Sequence, residues 1–172
     1  RSFSGLALSR EEPMTLTGVD RAQRLRARRV TGNFFTVVGV SPAMGRGFSD
    51  ADDKPNTAPV ALISAGFWQT QMAGEPTALG RVLKLDGTAY TVVGVMPAGF
   101  EYLRPYDVFV PMGPIAGDGN LKDRGNHTGF SALGRLKPGV TLAAADAELR
   151  AIAAALEREY PNSNSAVSVR TF

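Results

Sequence analysis

Residues Phe3-Ser4-Gly5-Leu6-Ala7-Leu8 alternate with the two-residue period of a strand, and so does Pro13-Met14-Thr15-Leu16-Thr17. The polar run Ser9-Arg10-Glu11-Glu12 between them reads as a turn. From Gln23 to Thr31 the same period puts Arg24, Arg26 and Arg28 on one face and Leu25, Ala27 and Arg29 on the other, which predicts a half-buried strand with a basic outer face. Further on, Pro59 to Ile63 is a continuous apolar run of strand length, after which Ser64 is placed to cap a helix from Ala65 to Met72 that Gly74 ends. Two apolar runs, Val82 to Leu85 and Tyr90 to Val95, flank Asp86-Gly87, the dipeptide of a tight hairpin turn. Asp107 to Pro111 and Thr128 to Leu136 read as two more strands, separated by the glycine-rich stretch 112–127, which reads as a loop. The longest periodic element follows: Ala145, Leu149, Ile152, Leu156 and Tyr160 form one apolar stripe, with Thr141 placed to cap and Pro161 to terminate. Such a helix is expected to lie on a sheet, and Val167, Val169 and Thr171 alternate as a last strand.

The string Thr-Val-Val-Gly-Val occurs twice, at residues 36–40 and 91–95. Propensity reads both copies as strands, but only the second has a hairpin partner. For the first, Asn33 and Gly39 offer the cap and the left-handed end of a short helix.

The 172 residues suffice for a sizeable core, and 44% apolar with 20% charged residues is ordinary for a globular domain. A net charge of +3 is too small to imply a nucleic-acid partner. With no cysteine there is no disulfide framework, thiol nucleophile or cysteine zinc site. No stretch approaches the ~20 consecutive apolar residues that cross a bilayer. The chain opens at Arg1 and runs straight into a strand, so it is expected to be cut from a longer protein.

Catalytic chemistry finds little support. The single histidine, His127, has no Gly-x-Ser-x-Gly elbow to serve, and no Gly-x-x-x-x-Gly-Lys-Ser/Thr loop is present to cradle nucleotide phosphates. Asp50, Asp52 and Asp53 cluster, but the register of a calcium loop would put its glutamate on Ala61 and its glycine on Pro55, so a solvated acidic turn is the expectation. No catalytic, cofactor or metal residue is assigned. Candidate partner-contact residues are the basic row Arg24, Arg26 and Arg28 and the aromatic residues Phe100, Tyr102 and Tyr106 of the connection 97–106.

The ordered series Val30-Thr31-Gly32-Asn33-Phe34-Phe35, Gly45-Arg46-Gly47-Phe48, Pro59 to Ser64 with Phe67-Trp68, Leu79-Gly80-Arg81 and Thr91 to Pro97 resembles the periplasmic core domain of MacB-like ABC transporter permeases. The likeness continues through Asp107 to Pro111 and Gly134 to Thr141, spans about residues 22–161, and looks closest to the duplicated permeases known mainly from acidobacteria. It implies an α+β fold in which a Porter-like α/β subdomain, residues 1–39 and 112–172, carries an inserted, mainly β Sabre-like subdomain, residues 40–111. It also implies a helix for the first copy of the repeated string, and a family strand and helix that precede Arg1. By the same resemblance the parent is an inner-membrane protein and this domain lies outside the membrane, coupling cytoplasmic ATP hydrolysis to extracytoplasmic movement in efflux. The implied partners are a cytoplasmic ATPase acting through the transmembrane part, a second permease copy or dimer mate, and a periplasmic adaptor, with no nucleic acid. Two other readings compete: an extracytoplasmic ligand-binding or sensor module closed by the 112–127 loop, and a metal enzyme built on Asp50, Asp52 or Asp53.

Overall fold

A computed structural model describes residues 1–117, 119, 123 and 129–165. His127, most of the glycine-rich loop's second half, the start of the strand expected from Thr128 and the strand expected at Val167, Val169 and Thr171 lie outside the described residues. The fold is α+β. Among the described residues ten strands, β1 (Phe3–Glu11), β2 (Met14–Thr17), β3 (Gln23–Leu25), β4 (Ala27–Val30), β5 (Met44–Gly45), β6 (Val60–Ile63), β7 (Val82–Leu85), β8 (Thr88–Val95), β9 (Val108–Pro111) and β10 (Ser131–Leu136), form one mixed sheet. Among the described residues, four α-helices of four residues or more accompany it: α1 (Phe34–Val38), α2 (Ala65–Met72), α3 (Leu142–Glu159) and the short α4 (Pro161–Asn164).

The strand order is β10-β1-β4-β9-β6-β8-β7-β2-β3, with β5 on β8. Only Arg26 separates β3 from β4, and only Glu12 and Pro13 separate β1 from β2. These four strands are thus one long hairpin bent in its middle. Its near half pairs β1 with β4, its far half pairs β2 with β3, and Glu12 N–H donates to the Ala27 carbonyl across the bend at 3.1 Å. Because β4 and β3 stand at the two ends of the path β4-β9-β6-β8-β7-β2-β3, that path curls round and returns to its own start. The polar run 9–12 is therefore not a turn. Ser9 pairs with Val30 in the ladder and is fully buried, and the chain turns later, over residues 18–22.

The curl encloses the larger core. Met14, Leu16, Leu25, Ala61, Ile63, Leu83, Leu85, Tyr90, Val92, Val108 and Val110 pack in one cluster, joined by Phe67 and Met72 of α2. The next residue along each central strand faces the opposite way, so Leu62 of β6 and Phe109 of β9 belong to a second cluster with Ala7, Val30, Met96, Tyr106 and the α1 residues Phe34, Phe35 and Val37. Both faces of β6 and β9 are buried, which is why these strands read as continuous apolar runs. Each such side chain stabilises by about 1.5–3 kcal/mol relative to exposure.

The expected caps are largely present. Ser64 Oγ accepts from Phe67 N–H at 3.0 Å and Thr141 Oγ1 from Ala144 N–H at 3.2 Å. The first copy of the repeated string is helical, and Gly39 closes it with φ 83° while donating to the Phe35 carbonyl. Asn33 makes no cap bond; its side chain donates to the Leu6 carbonyl at 2.9 Å and accepts from Thr31, tying α1 to β1. Asp86 and Gly87 take the positive φ values of the tight hairpin turn. In α3 the apolar stripe is only partly covered: Ala145 is fully buried, whereas Ile152 is 48% exposed. The helix is rich in alanine, so its stripe offers little area, and Glu148 secures it to the start of β1 by accepting from Ser2 N–H at 2.7 Å.

The acidic stretch 50–53 is a clamp. Asp53 accepts from Gly113 N–H at 2.5 Å and from Gly32 N–H at 2.7 Å, holding the connection between β5 and β6 against the ends of β4 and β9. Here glycine is required by space, since a Cβ on Gly113 would stand 2.0 Å from the Asp53 carbonyl carbon and 2.4 Å from Lys54 N. Gly113→Ala is expected to destabilise the domain by about 1–3 kcal/mol or more, the range of overpacking. Gly117→Ala, where nothing lies within 4 Å of the new carbon, should leave stability unchanged. Thermal unfolding of the two variants checks this, and equal midpoints would overturn the clamp.

Candidate functional site

Polar chemistry is concentrated where the bent hairpin meets the connection from β8 to β9. Arg28 and Arg29 are consecutive on β4, so their side chains leave opposite faces of the sheet, and each is only 3% exposed.

Arg28 enters the smaller core. Its Nη1 donates to Tyr106 Oη at 2.5 Å and its Nη2 to Ser9 Oγ at 2.9 Å, while Nε has no partner. The guanidinium lies 4.8 Å from the Tyr102 ring centre and 5.2 Å from that of Tyr106. Tyr106 donates in turn to Glu11, which also binds Arg104 and lies 3.9 Å from Arg28 Nη1. The Tyr106 hydroxyl holds the Glu11 carboxyl below its ordinary range, against a smaller upward push from burial, with help from Arg104 and Arg28.

Arg29 faces the other way and forms a bidentate pair with Glu12, at 2.8 Å from Nε and 2.7 Å from Nη2, while Nη1 donates to the Pro111 carbonyl at 2.8 Å. Arg10 adds a third bond to Glu12 at 2.7 Å. Burial alone would raise the Glu12 carboxyl, but the hydrogen bonds from Arg29 and Arg10 outweigh it and lower the value to about 2.

The candidate partner-contact residues divide accordingly. Arg24 and Arg26 are exposed, Arg24 with a long 3.4 Å bond to Thr15 and Arg26 paired with Asp107 at 3.7 Å. Arg28 is not part of an exposed row, because the strand that presents Arg24 breaks at Arg26 and β4 lies within the sheet between β1 and β9. Tyr106 is likewise buried, at 4%, and Phe100 and Tyr102 are half-buried, Phe100 against Phe35 and Phe109 and Tyr102 edge-on to Phe34. The aromatic residues of this connection anchor it inward. Sequence reasoning missed Glu12 and Ser9, and it read Asp53 as part of a solvated acidic turn where the structure makes it a clamp. One signal was available: Arg29 shares its parity with Leu25 and Ala27, and an inward arginine requires a buried carboxylate nearby.

An open cleft of about 750 Å³ lies between the hairpin and this connection, lined by Arg10, Glu11, Glu12, Arg28, Leu103 and Arg104 among others. Half of its lining residues are charged, and it is widely open to solvent, unlike the enclosed, largely apolar pockets that hold small molecules. Of the acidic trio, Asp50 is exposed, and Asp53 is spent on the clamp. Asp52 binds Arg46 at 2.6 and 2.9 Å and accepts from Ser49, contacts that lower its carboxyl to about 2 despite partial burial. Among the described residues no group of three or more His, Cys, Asp or Glu is placed to hold a metal ion. No helix among them is long and apolar enough to cross a membrane.

The family model described as "MacB-like periplasmic core domain" matches residues 6–152. The chain belongs to that family. This MacB-like domain has the fold of solved relatives at low identity. The periplasmic region of MacB from Actinobacillus actinomycetemcomitans superposes with a TM-score of 0.70 at 14% identity, covering 95% of this chain and 70% of that one. The extracellular domain of the noncanonic ABC-type transporter YknZ from Gram-positive bacteria gives 0.68 at 16% identity, covering 93% and 78%. Among curated proteins no significant match is found. The MacB-like domain is thus a domain of an ABC transporter permease, expected from the ordered motifs and now carried by the family match.

Removing Glu12 leaves the buried Arg29 charge alone, so Glu12→Gln is expected to destabilise the MacB-like domain by about 3–5 kcal/mol, whereas Arg29→Met, which leaves the partly exposed Glu12 paired with Arg10, costs less. The double variant Glu12→Gln/Arg29→Met should recover a large part of that loss. In the wild type, Glu12 has a depressed folded value, so its contribution is complete above about pH 4.5 and is lost as the pH falls toward about 2. Urea unfolding between pH 2 and 7 checks both statements; a flat profile, or strictly additive single losses, would contradict them.

Proposed function

We propose that this chain is the extracytoplasmic domain of its parent permease and acts as a lever, coupling ATP hydrolysis in the cytoplasm to movement outside the membrane and docking partners or substrate in efflux. The observation that carries this reading is the family match over residues 6–152. A lever needs rigid packing rather than activated groups, and the carboxylates of Glu11, Glu12, Asp52 and Asp53 are all engaged in structural bonds. In this reading residues 1–39 and 112–172 form the Porter-like part and 40–111 the Sabre-like insert, the two sharing one sheet through the β4–β9 and β2–β7 ladders. The cytoplasmic ATPase acts through the parent's transmembrane part, a second permease copy faces this one, and a periplasmic adaptor meets the exposed surface, to which Arg24 and Arg26 belong. The domain itself is not an enzyme.

The test uses the full-length parent with its ATPase in lipid vesicles. A spin label at Val82→Cys, on an outward position 62% exposed, reports the distance between the two copies. The distance distribution is expected to change between nucleotide-free and vanadate-trapped states and to stay fixed when the ATPase cannot hydrolyse. An unchanged distribution would remove the lever. The isolated domain should hydrolyse no ATP; turnover abolished by a point substitution within it would refute the non-catalytic reading.

A further inference from the structure

Leu103 is the most exposed large apolar side chain among the described residues, at 79%, and its φ is 62°, in the left-handed region that a leucine rarely adopts. Asn56, Ala73 and Asp86 share positive φ, but each has a local reason: asparagine tolerates that region, Ala73 ends α2, and Asp86 opens the hairpin turn. Leu103 has none. Glycine or asparagine would hold the same turn with less strain and would expose no large apolar side chain to water.

The turn is nonetheless firmly held. Tyr102 and Arg104 bridge each other on either side of Leu103. Tyr102 packs on Phe34 and Arg28, Arg104 binds Glu11 and lies 5.7 Å from the Tyr106 ring centre, and Phe100 and Tyr106 fasten the two ends to Phe109. A leucine on such a support is pre-organised for contact, because little ordering entropy is left to lose on binding. Beside it, the carboxylates of the cleft are already engaged: both Glu12 oxygens and Glu11 Oε1 accept bonds. The donors are not exhausted, since the Arg104 guanidinium carries five N–H groups and its side chain is about half exposed. The complement to this surface is therefore apolar at its centre and rich in acceptors at its rim.

We infer that the 102–104 turn is the docking tip of the domain and that its partner is a protein presenting an apolar socket for Leu103 bordered by carboxylates for Arg104. This rests on the reading of the domain as a partner-docking lever. A bilayer is the poorer occupant, since one leucine is far less apolar surface than a myristoyl chain, which by itself binds membranes only marginally.

Two measurements test it. In the purified domain, Leu103→Gly should leave the thermal midpoint unchanged or raise it by about 2 °C, because glycine relieves the backbone; a fall would mean that Leu103 serves folding and would overturn the inference. In cells making the full-length parent, Leu103→p-benzoylphenylalanine is irradiated and the adduct digested and sequenced. The expected product joins residue 103 to a peptide of another protein with Asp or Glu within a few residues. Its yield should fall about fivefold or more on Arg104→Glu and return when that acid is changed to Arg. An adduct with lipid, an adduct with a second copy of this chain, no adduct, or a yield indifferent to Arg104→Glu would each overturn the proposal. Protein adducts without any nucleotide-driven distance change would keep the tip and remove the lever; a distance change without adducts would do the reverse.

Discussion

Arg29 and Glu12 meet where three parts of the chain converge. Arg29 belongs to β4 and Glu12 to the bend of the long hairpin, and Pro111, whose carbonyl accepts from Arg29 Nη1, ends β9. Two charges so enclosed must lose most of their hydration, and their attraction roughly offsets that loss only while geometry and hydrogen bonds stay complete. The pair is thus less a source of net stability than a condition on assembly. The hairpin must bend at Glu12, and β9 must lie against β4 with Pro111 opposite Val30, before either charge is satisfied.

Arg28, next in line and facing the other way, makes that condition directional. A one-residue slip of β4 would bring one arginine to the other's site but leave the second site to Ala27 or Val30 and push the other arginine into a buried apolar position. Only the native register therefore satisfies both guanidiniums at once, one by ring faces and hydroxyls and the other by the carboxylate fork of Glu12. Apolar alternation alone would leave β4 weakly registered, since Ala27 and Val30 are small. The two arginines supply the register that four short residues could not, and through β4 they fix the order of β1 and β9 on either side.

Much of the architecture was legible because it depends on local chemistry. The left-handed ends at Gly39 and Asp86-Gly87, the caps at Ser64 and Thr141, and the uniformly apolar β6 and β9 all follow from residue types in sequence. What escaped depends on contacts across the fold. Ser9 to Glu12 is as polar as any turn, yet it forms ladder because Arg28 and Arg29, far along the chain, need Ser9, Glu11 and Glu12 as partners. The row Arg24, Arg26, Arg28 obeys a single period on paper, but the chain breaks at Arg26, where its backbone N–H turns to the Asp107 carboxylate at 2.8 Å. Phe100, Tyr102 and Tyr106 carry the composition of a contact surface, and the structure spends them on holding Leu103 outward instead. Family resemblance reached further than either kind of reasoning because ordered short motifs record the tertiary solution without explaining it.

The same connections limit how such a domain can move. On the two-part division, the β4–β9 and β2–β7 ladders cross the boundary, as do the bonds of Asp53 to Gly32 and Gly113 and of Arg29 to Pro111. Hinging one part against the other would break paired backbone groups in the sheet and strand a buried cation, whereas displacement of the whole body breaks none of these. On the proposed lever reading, coupling through this domain is therefore best served by rotation or translation of the domain as a unit. Any contact at its far surface then inherits the full displacement, and a rigid apolar tip transmits it with less loss than a pliant loop.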